Sequence, residues 1–233
     1  MSATVAMKVP SLSADRALIE RLVRAALEKH AGTLAGIPAS DPGKPRIVAN
    51  ISARHVHLTP AHVEELFGPG HKLTPVKDIY QPGAFAVEEV VTVIGPRQRM
   101  IPNVRILGPC RDFSQVELAF TDSISLGIDA PVRPSGNHHE TPGCWIMGPK
   151  GMIELKAGVI RAERHVHMHP TDAEYYGVKQ GDRIHMRVVS NCPIVLENLL
   201  CRVDKNSKLE IHIDTDEGNA CNLPAATKVE LFK

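Results

Sequence analysis

The chain has 233 residues, a net charge of +1, and 43% hydrophobic and 23% charged residues, the balance of an ordinary globular protein. Near-neutral charge excludes a global field that recruits nucleic acid or an anionic membrane. No apolar run approaches the ~20 residues of a membrane-spanning helix, and the start lacks a secretory pattern. Five cysteines without a C-x-x-C pair fit free thiols in a reducing, cytosolic setting. Twelve histidines outnumber the five Phe, three Tyr and one Trp together, while 17 Gly and 18 Pro favour a turn-rich β protein over a helical bundle.

In chain order, residues 12–30 read as an amphipathic helix. Leu18, Ile19, Leu22, Val23, Ala26 and Leu27 recur at the spacing of one helical face. Ser13 suits the N-cap and Gly32 the stop. The stretch 37–45 carries three prolines and a glycine and reads as a tether. A helix on a tether can lay its apolar face in a partner's groove, and an exposed face of this kind also invites homo-oligomers. Such a helix docked on its own domain is the other reading.

From residue 46 the pattern becomes β. Strands are predicted over 46–51, 87–94, 99–107, 115–120, 183–189, 194–203, 209–213 and 228–232, with short helices over 60–67 and 170–176. The chain also repeats: Arg54-His55-Val56-His57-Leu58-Thr59-Pro60 matches Arg164-His165-Val166-His167-Met168-His169-Pro170. The expectation is a mainly β fold of two tandem, related β-barrel domains with short capping helices, plus the N-terminal amphipathic helix. The segments are 1–45 for helix and linker, 46–150 for the first barrel and 151–233 for the second.

His-x-His on a strand sends both imidazoles to one face. Neutral, each presents a lone pair, and a divalent cation uses both. A catalytic metal needs a third protein ligand and an open position. Glu117, on the strand over 115–120, and His212, on the strand over 209–213, are the candidates. Asp214, Asp216 and Glu217 could orient His212 from behind. On the residues alone, Glu117 also reads as a solvated strand carboxylate. Arg111 and Arg105 suit phosphate recognition, but on chemistry alone the better reading of either is an ordinary surface arginine.

The chain resembles the PduL-type phosphotransacylases (phosphate propanoyltransferases) of bacterial microcompartments, from about residue 48 to residue 220. Blocks carrying the resemblance include Ser52–Thr59, Lys77–Gly83, Val104–Pro109, Arg111–Glu117, Ala130–Arg133, Thr141–Gly143, Gly148–Gly151, Arg164–Met168 and His212–Glu217. It implies two β-barrel domains and a site for two Zn2+, or other divalent metals, one held by His55, His57 and Glu117 and the other by His165, His167 and His212. It implies Arg111 as the catalytic, phosphate-binding residue. Ser52, Ala53, Arg105 and Asn219 match coenzyme A-binding positions, with Arg97 or Arg99 as an added basic residue. Cys110 and the His138-His139 pair depart from the pattern. The implied activity is reversible conversion of a short-chain acyl-CoA plus phosphate to acyl phosphate plus CoA, in the lumen of a microcompartment whose shell or core proteins bind the N-terminal helix. A dinuclear zinc thioester hydrolase and a non-catalytic zinc-binding scaffold are the competing readings.

Overall fold

The computed structural model describes residues 44–233. The helix read over 12–30 and the tether as far as residue 43 lie outside the described residues. In chain order the strands are β1 (Val48–Ser52), β2 (His55–His57), β3 (Pro75–Asp78), β4 (Phe85–Ile94), β5 (Met100–Gly108), β6 (Gln115–Glu117), β7 (Val132–Arg133) and β8 (Cys144–Met147). They continue with β9 (Met152–Leu155), β10 (Val159–Ala162), β11 (His165–Met168), β12 (Arg183–Val189), β13 (Ile194–Val203), β14 (Glu210–Asp214) and β15 (Lys228–Phe232). The fold is mainly β, as expected, and its two sheets curl as half barrels.

One sheet has six strands in the order β1-β14-β11-β13-β12-β15. The other has nine: β7-β10-β6-β2-β5-β4-β8-β9 in sequence across the sheet, with β3 paired to β4. The sequence repeat is a spatial repeat. β2 lies between parallel β5 and antiparallel β6, and β11 between parallel β13 and antiparallel β14. Beyond them, β6 pairs in parallel with β10, and β14 in parallel with β1. Each strand that leads into a histidine strand therefore joins the sheet of the other repeat. Sheet membership consequently departs from the chain segments: β9 and β10 lie in the nine-stranded sheet, and β1 lies in the six-stranded one. Main-chain pairing, which no local pattern encodes, decides this.

Each sheet packs its own apolar cluster. Val56, Leu58, Val91, Ile106, Val116 and Ile146 belong to the first, and Val166, Met168, Ile184, Met186, Leu199 and Ile211 to the second. Val56 and Val166 are 0% exposed. Since neighbours on a strand face opposite ways, burying the central valine turns the flanking histidines away from the core. Each such burial contributes ~1.5–3 kcal/mol.

Both expected helices form, Pro60–Phe67 and Pro170–Tyr176, each with proline in its first turn. Thr59 caps one, its Oγ1 accepting the His62 N–H at 3.2 Å; His169 caps the other, its Nδ1 accepting the Thr171 N–H at 3.3 Å. The proline that closes each repeated motif is thus a helix start. Two further helices, Phe120–Leu126 and Thr215–Ala220, were not expected. The strand predicted over 115–120 stops at Glu117, and a helix takes over at Phe120 and ends at Gly127 in the left-handed conformation, φ 76°.

Close packing accounts for Gly143 in the Thr141–Gly143 block. A Cβ there would lie 1.9 Å from the Leu155 carbonyl oxygen, a backbone atom of the facing strand β9. Gly143→Ala is expected to lower stability by ~1–3 kcal/mol through overpacking, read as an earlier urea midpoint; an unchanged midpoint would show that the β8–β9 hairpin can shift.

Candidate active site

The repeated registers build two equivalent clusters. His55 stands opposite Glu117, and His165 opposite His212. His57 stands opposite Gln115, and His167 opposite Glu210. The ligand atoms of His55, His57 and Glu117 all lie within 4.8 Å of one another, and so do those of His165, His167 and His212. His55 Nε2 is 3.5 Å and His57 Nε2 3.8 Å from the Glu117 carboxylate. In the second cluster the His165 and His212 rings stack at 4.9 Å with His167 edge-on to both.

Main-chain carbonyls orient the first histidine of each pair identically. His55 Nδ1 sits 2.9 Å from the Ala53 oxygen, and His165 Nδ1 2.8 Å from the Glu163 oxygen. Each Nδ1–H then donates to its carbonyl, and Nε2 keeps its lone pair. Burial pushes His57 down to about 3, helped by the charges of His55 and Arg111. Burial likewise pushes His167 to about 3 and His165 to about 4, with the neighbouring imidazoles adding to the effect. These three are neutral at neutral pH, the form a metal ligand needs. Burial would raise Glu117, but the charge and hydrogen bond of His55 hold it well below the usual carboxylate range. For His55, burial is outweighed by Glu117, and its pKa rises. The donor sets, two nitrogens and an oxygen in one cluster and three nitrogens in the other, fit a divalent ion such as zinc with a fourth position free.

Residues the sequence reading missed hold the third ligand of each cluster. Gln115 Nε2 donates to Glu117 Oε1 at 2.6 Å, and Glu210 Oε2 lies 2.9 Å from His212 Nε2. Both occupy the position two before the third ligand, on the same strand face. Strand periodicity alone could have flagged them. Glu210 is 2% exposed. Burial would raise its pKa, but His212, Gln81 and Asn50 hold it low. Asn50 Nδ2 donates to Oε1 at 2.5 Å and Gln81 Nε2 to Oε2 at 2.7 Å. The expectation that Asp214, Asp216 and Glu217 support His212 is corrected. Asp214 and Glu217 cap the helix Thr215–Ala220 reciprocally, at 2.8 and 3.0 Å. Asp216 accepts from Thr121, and Glu217 pairs with Arg164 at 2.7 Å. The acidic run is a helix start.

Both clusters open on one cleft of about 480 Å³, whose walls include Ser52, Arg111, Ser135 and Arg202. Arg111 donates from NH1 to Ser135 Oγ at 3.2 Å, and Ser135 Oγ donates to Glu117 Oε1 at 2.5 Å. Of the coenzyme A candidates, Ser52 lines the cleft. The Ala53 carbonyl serves His55. Arg105 and Asn219 are outside the lining: Arg105 donates to the Val87 carbonyl at 2.5 Å, and Asn219 is exposed on the helix Thr215–Ala220. Arg97 donates to the Ile124 carbonyl at 3.2 Å. Ser135 and Arg202 carried no motif of their own, and only the fold brings them here.

Glu210→Gln is expected to weaken metal retention at the second cluster by about 10–100-fold, the usual cost of losing such an outer partner, and to leave the first unchanged. Competition with a chelating dye measures it, and equal retention at both clusters would remove Glu210 from that role.

A profile of the family described as phosphate propanoyltransferase matches residues 48–224. The phosphate propanoyltransferase of Planctopirus limnophila is 60% identical over 224 residues, covering 94% of this chain and 92% of that protein. The one from Thermotoga maritima is 49% identical over 181 residues, 77% of this chain and 86% of its own, and that of Lachnoclostridium phytofermentans is 47% identical over 186 residues, 80% and 87% respectively. With the profile spanning both histidine strands and the whole cleft, the chain belongs to the phosphate propanoyltransferase family.

Proposed function

We propose that this chain is a phosphate acyltransferase that reversibly converts a short-chain acyl-CoA, propanoyl-CoA or similar, and phosphate into acyl phosphate and CoA. The observation that carries the reading is the cleft where one buried and one half-buried ligand cluster meet the Arg111 guanidinium. The family name of its relatives points to the same reaction. The repeat units over 46–150 and 151–233 each supply one ligand cluster in this proposal.

Two zinc ions, or other divalent ions, held by His55, His57 and Glu117 and by His165, His167 and His212 would supply Lewis acidity to the acyl and phosphate oxygens and affinity for thiolate sulfur. The chain's own groups do the rest. Arg111 binds phosphate and offsets its charge as a phosphate oxygen attacks the thioester carbonyl carbon. The new C–O bond forms, the carbonyl collapses from a tetrahedral intermediate, and the C–S bond breaks, with CoA leaving as thiolate. Ser135, bonded to both Arg111 and Glu117, keeps the guanidinium aligned with the first cluster. Ser52, in the wall of the cleft, is on hand for coenzyme A.

No acyl-enzyme is required. Cys110, the thiol beside Arg111, packs against the first core, and burial pushes its pKa up, which disfavours the nucleophilic thiolate. Among the described residues no helix is long and apolar enough to cross a membrane. We place the protein in a microcompartment lumen, with the 12–30 segment as the element that engages shell or core proteins.

The deciding experiment measures CoA release from a panel of acyl-CoAs, with and without phosphate, before and after chelation. Release is expected to need both phosphate and metal; release without phosphate would make the protein a hydrolase. Arg111→Ala is expected to lose at least ~100-fold in turnover with both metals retained by elemental analysis, and full activity would remove Arg111 from phosphate binding. Deleting residues 1–40 is expected to leave turnover nearly unchanged and abolish co-assembly with shell proteins. Loss of folding instead would support a helix docked on its own domain.

A further inference from the structure

The cleft contains a second guanidinium besides that of Arg111. Arg202 lies on β13, opposite His167 in the parallel β11–β13 register. Its chain neighbour Cys201 is 0% exposed in the second core. Alternation along the strand therefore turns Arg202 to the histidine face, where it lines the cleft with both ligand clusters.

Among the described residues, the Arg202 side chain makes no hydrogen bond and no ion pair. Arg111 has Ser135 Oγ alone. Half-buried Arg164, by contrast, is matched by the Glu217 carboxylate at 2.7 Å. Glu117 is the one carboxylate lining the cleft among the described residues, and it is already engaged by His55, Gln115 and Ser135. Alongside burial, the Arg202 charge acts on Arg111, His165 and His167, lowering all three. Among the described residues, two like charges share this cleft with Glu117 as its one carboxylate, which acts on Arg111 but forms no direct ion pair with either guanidinium, and so form a receptor for an anion. A phosphate dianion offers oxygens enough for both guanidinium groups.

We propose that Arg202 is a phosphate-binding residue that shares one inorganic phosphate with Arg111. Arg202 belongs to the six-stranded sheet. Arg111 sits on the loop between β5 and β6 of the nine-stranded sheet, tied there by its backbone N–H to the Leu58 carbonyl at 2.9 Å. Phosphate thus joins the two repeats. This inference rests on the phosphate acyltransferase reading and extends it to a residue of the other sheet.

The test uses the metal-loaded full chain. Inorganic phosphate is titrated calorimetrically into the unaltered protein, Arg202→Ala and Arg202→Lys, with no acyl-CoA present. Metal content and circular dichroism are checked in each. Phosphate affinity is expected to fall about tenfold or more in Arg202→Ala, the scale of one charge-assisted contact, and to recover in part in Arg202→Lys. In turnover the KM for phosphate is expected to rise by a similar factor, while the KM for CoA in the reverse direction stays within twofold. A rise in the CoA value alone would assign Arg202 to the diphosphate of coenzyme A and overturn the proposal, as would unchanged phosphate affinity in a folded, metal-loaded Arg202→Ala. If the unaltered protein binds phosphate but forms no acyl phosphate, the functional reading fails, and the calorimetric comparison still decides the role of Arg202.

Discussion

The site depends on a reciprocal exchange of two short strands. β1 precedes one histidine strand and pairs with β14 of the other repeat; β10 precedes the second histidine strand and pairs with β6 of the first. Each exchanged strand runs beside the strand that presents the third ligand. The peptide carbonyls just beyond their ends, Ala53 and Glu163, fix the first imidazole of each cluster. Main-chain pairing therefore sets both the distance between the repeats and the tautomer of a ligand. The sheets cannot drift apart without breaking the ladders that orient the histidines.

The duplicated scaffold carries unequal chemistry. At the third-ligand position one repeat has Glu117 and the other His212, and the residue two before it changes to suit. A carboxylate is steadied by the amide donor Gln115, and an imidazole by the carboxylate Glu210. Partner and ligand have exchanged donor and acceptor roles while keeping the register. Glu117 gives the first cluster a negative charge that His212 does not give the second. In the second cluster the negative charge sits one step back, on Glu210.

The legible part of the molecule was the part governed by period. His-Val-His reveals its face because strands alternate, and the prolines of the repeated motif announce helix starts. The third ligands became assignable through family resemblance, since a lone carboxylate or histidine on a short strand has no pattern of its own. The acidic run after His212 misled, because Asp and Glu serve helix caps as readily as they serve imidazoles. Arg202 and Ser135 were not legible at all, and Gln81 stood in a recognised block without a role. They reach the cleft through parallel registers and loop returns between distant stretches, and local sequence does not record which strands will be neighbours.

The exchange has a consequence for the order in which the chain can assemble. β1 emerges first in synthesis, yet its partner β14 spans Glu210–Asp214, close to the other end. β6 waits in the same way for β10. Loop closure over such separations is slow relative to local hairpins. The hairpin of β4 with β5 and that of β12 with β13 can form early, whereas the exchange that joins the two sheets waits until β14 is available. The cleft that both clusters line is thereby finished only in the last stage of folding, when His212 arrives beside β1 and β11.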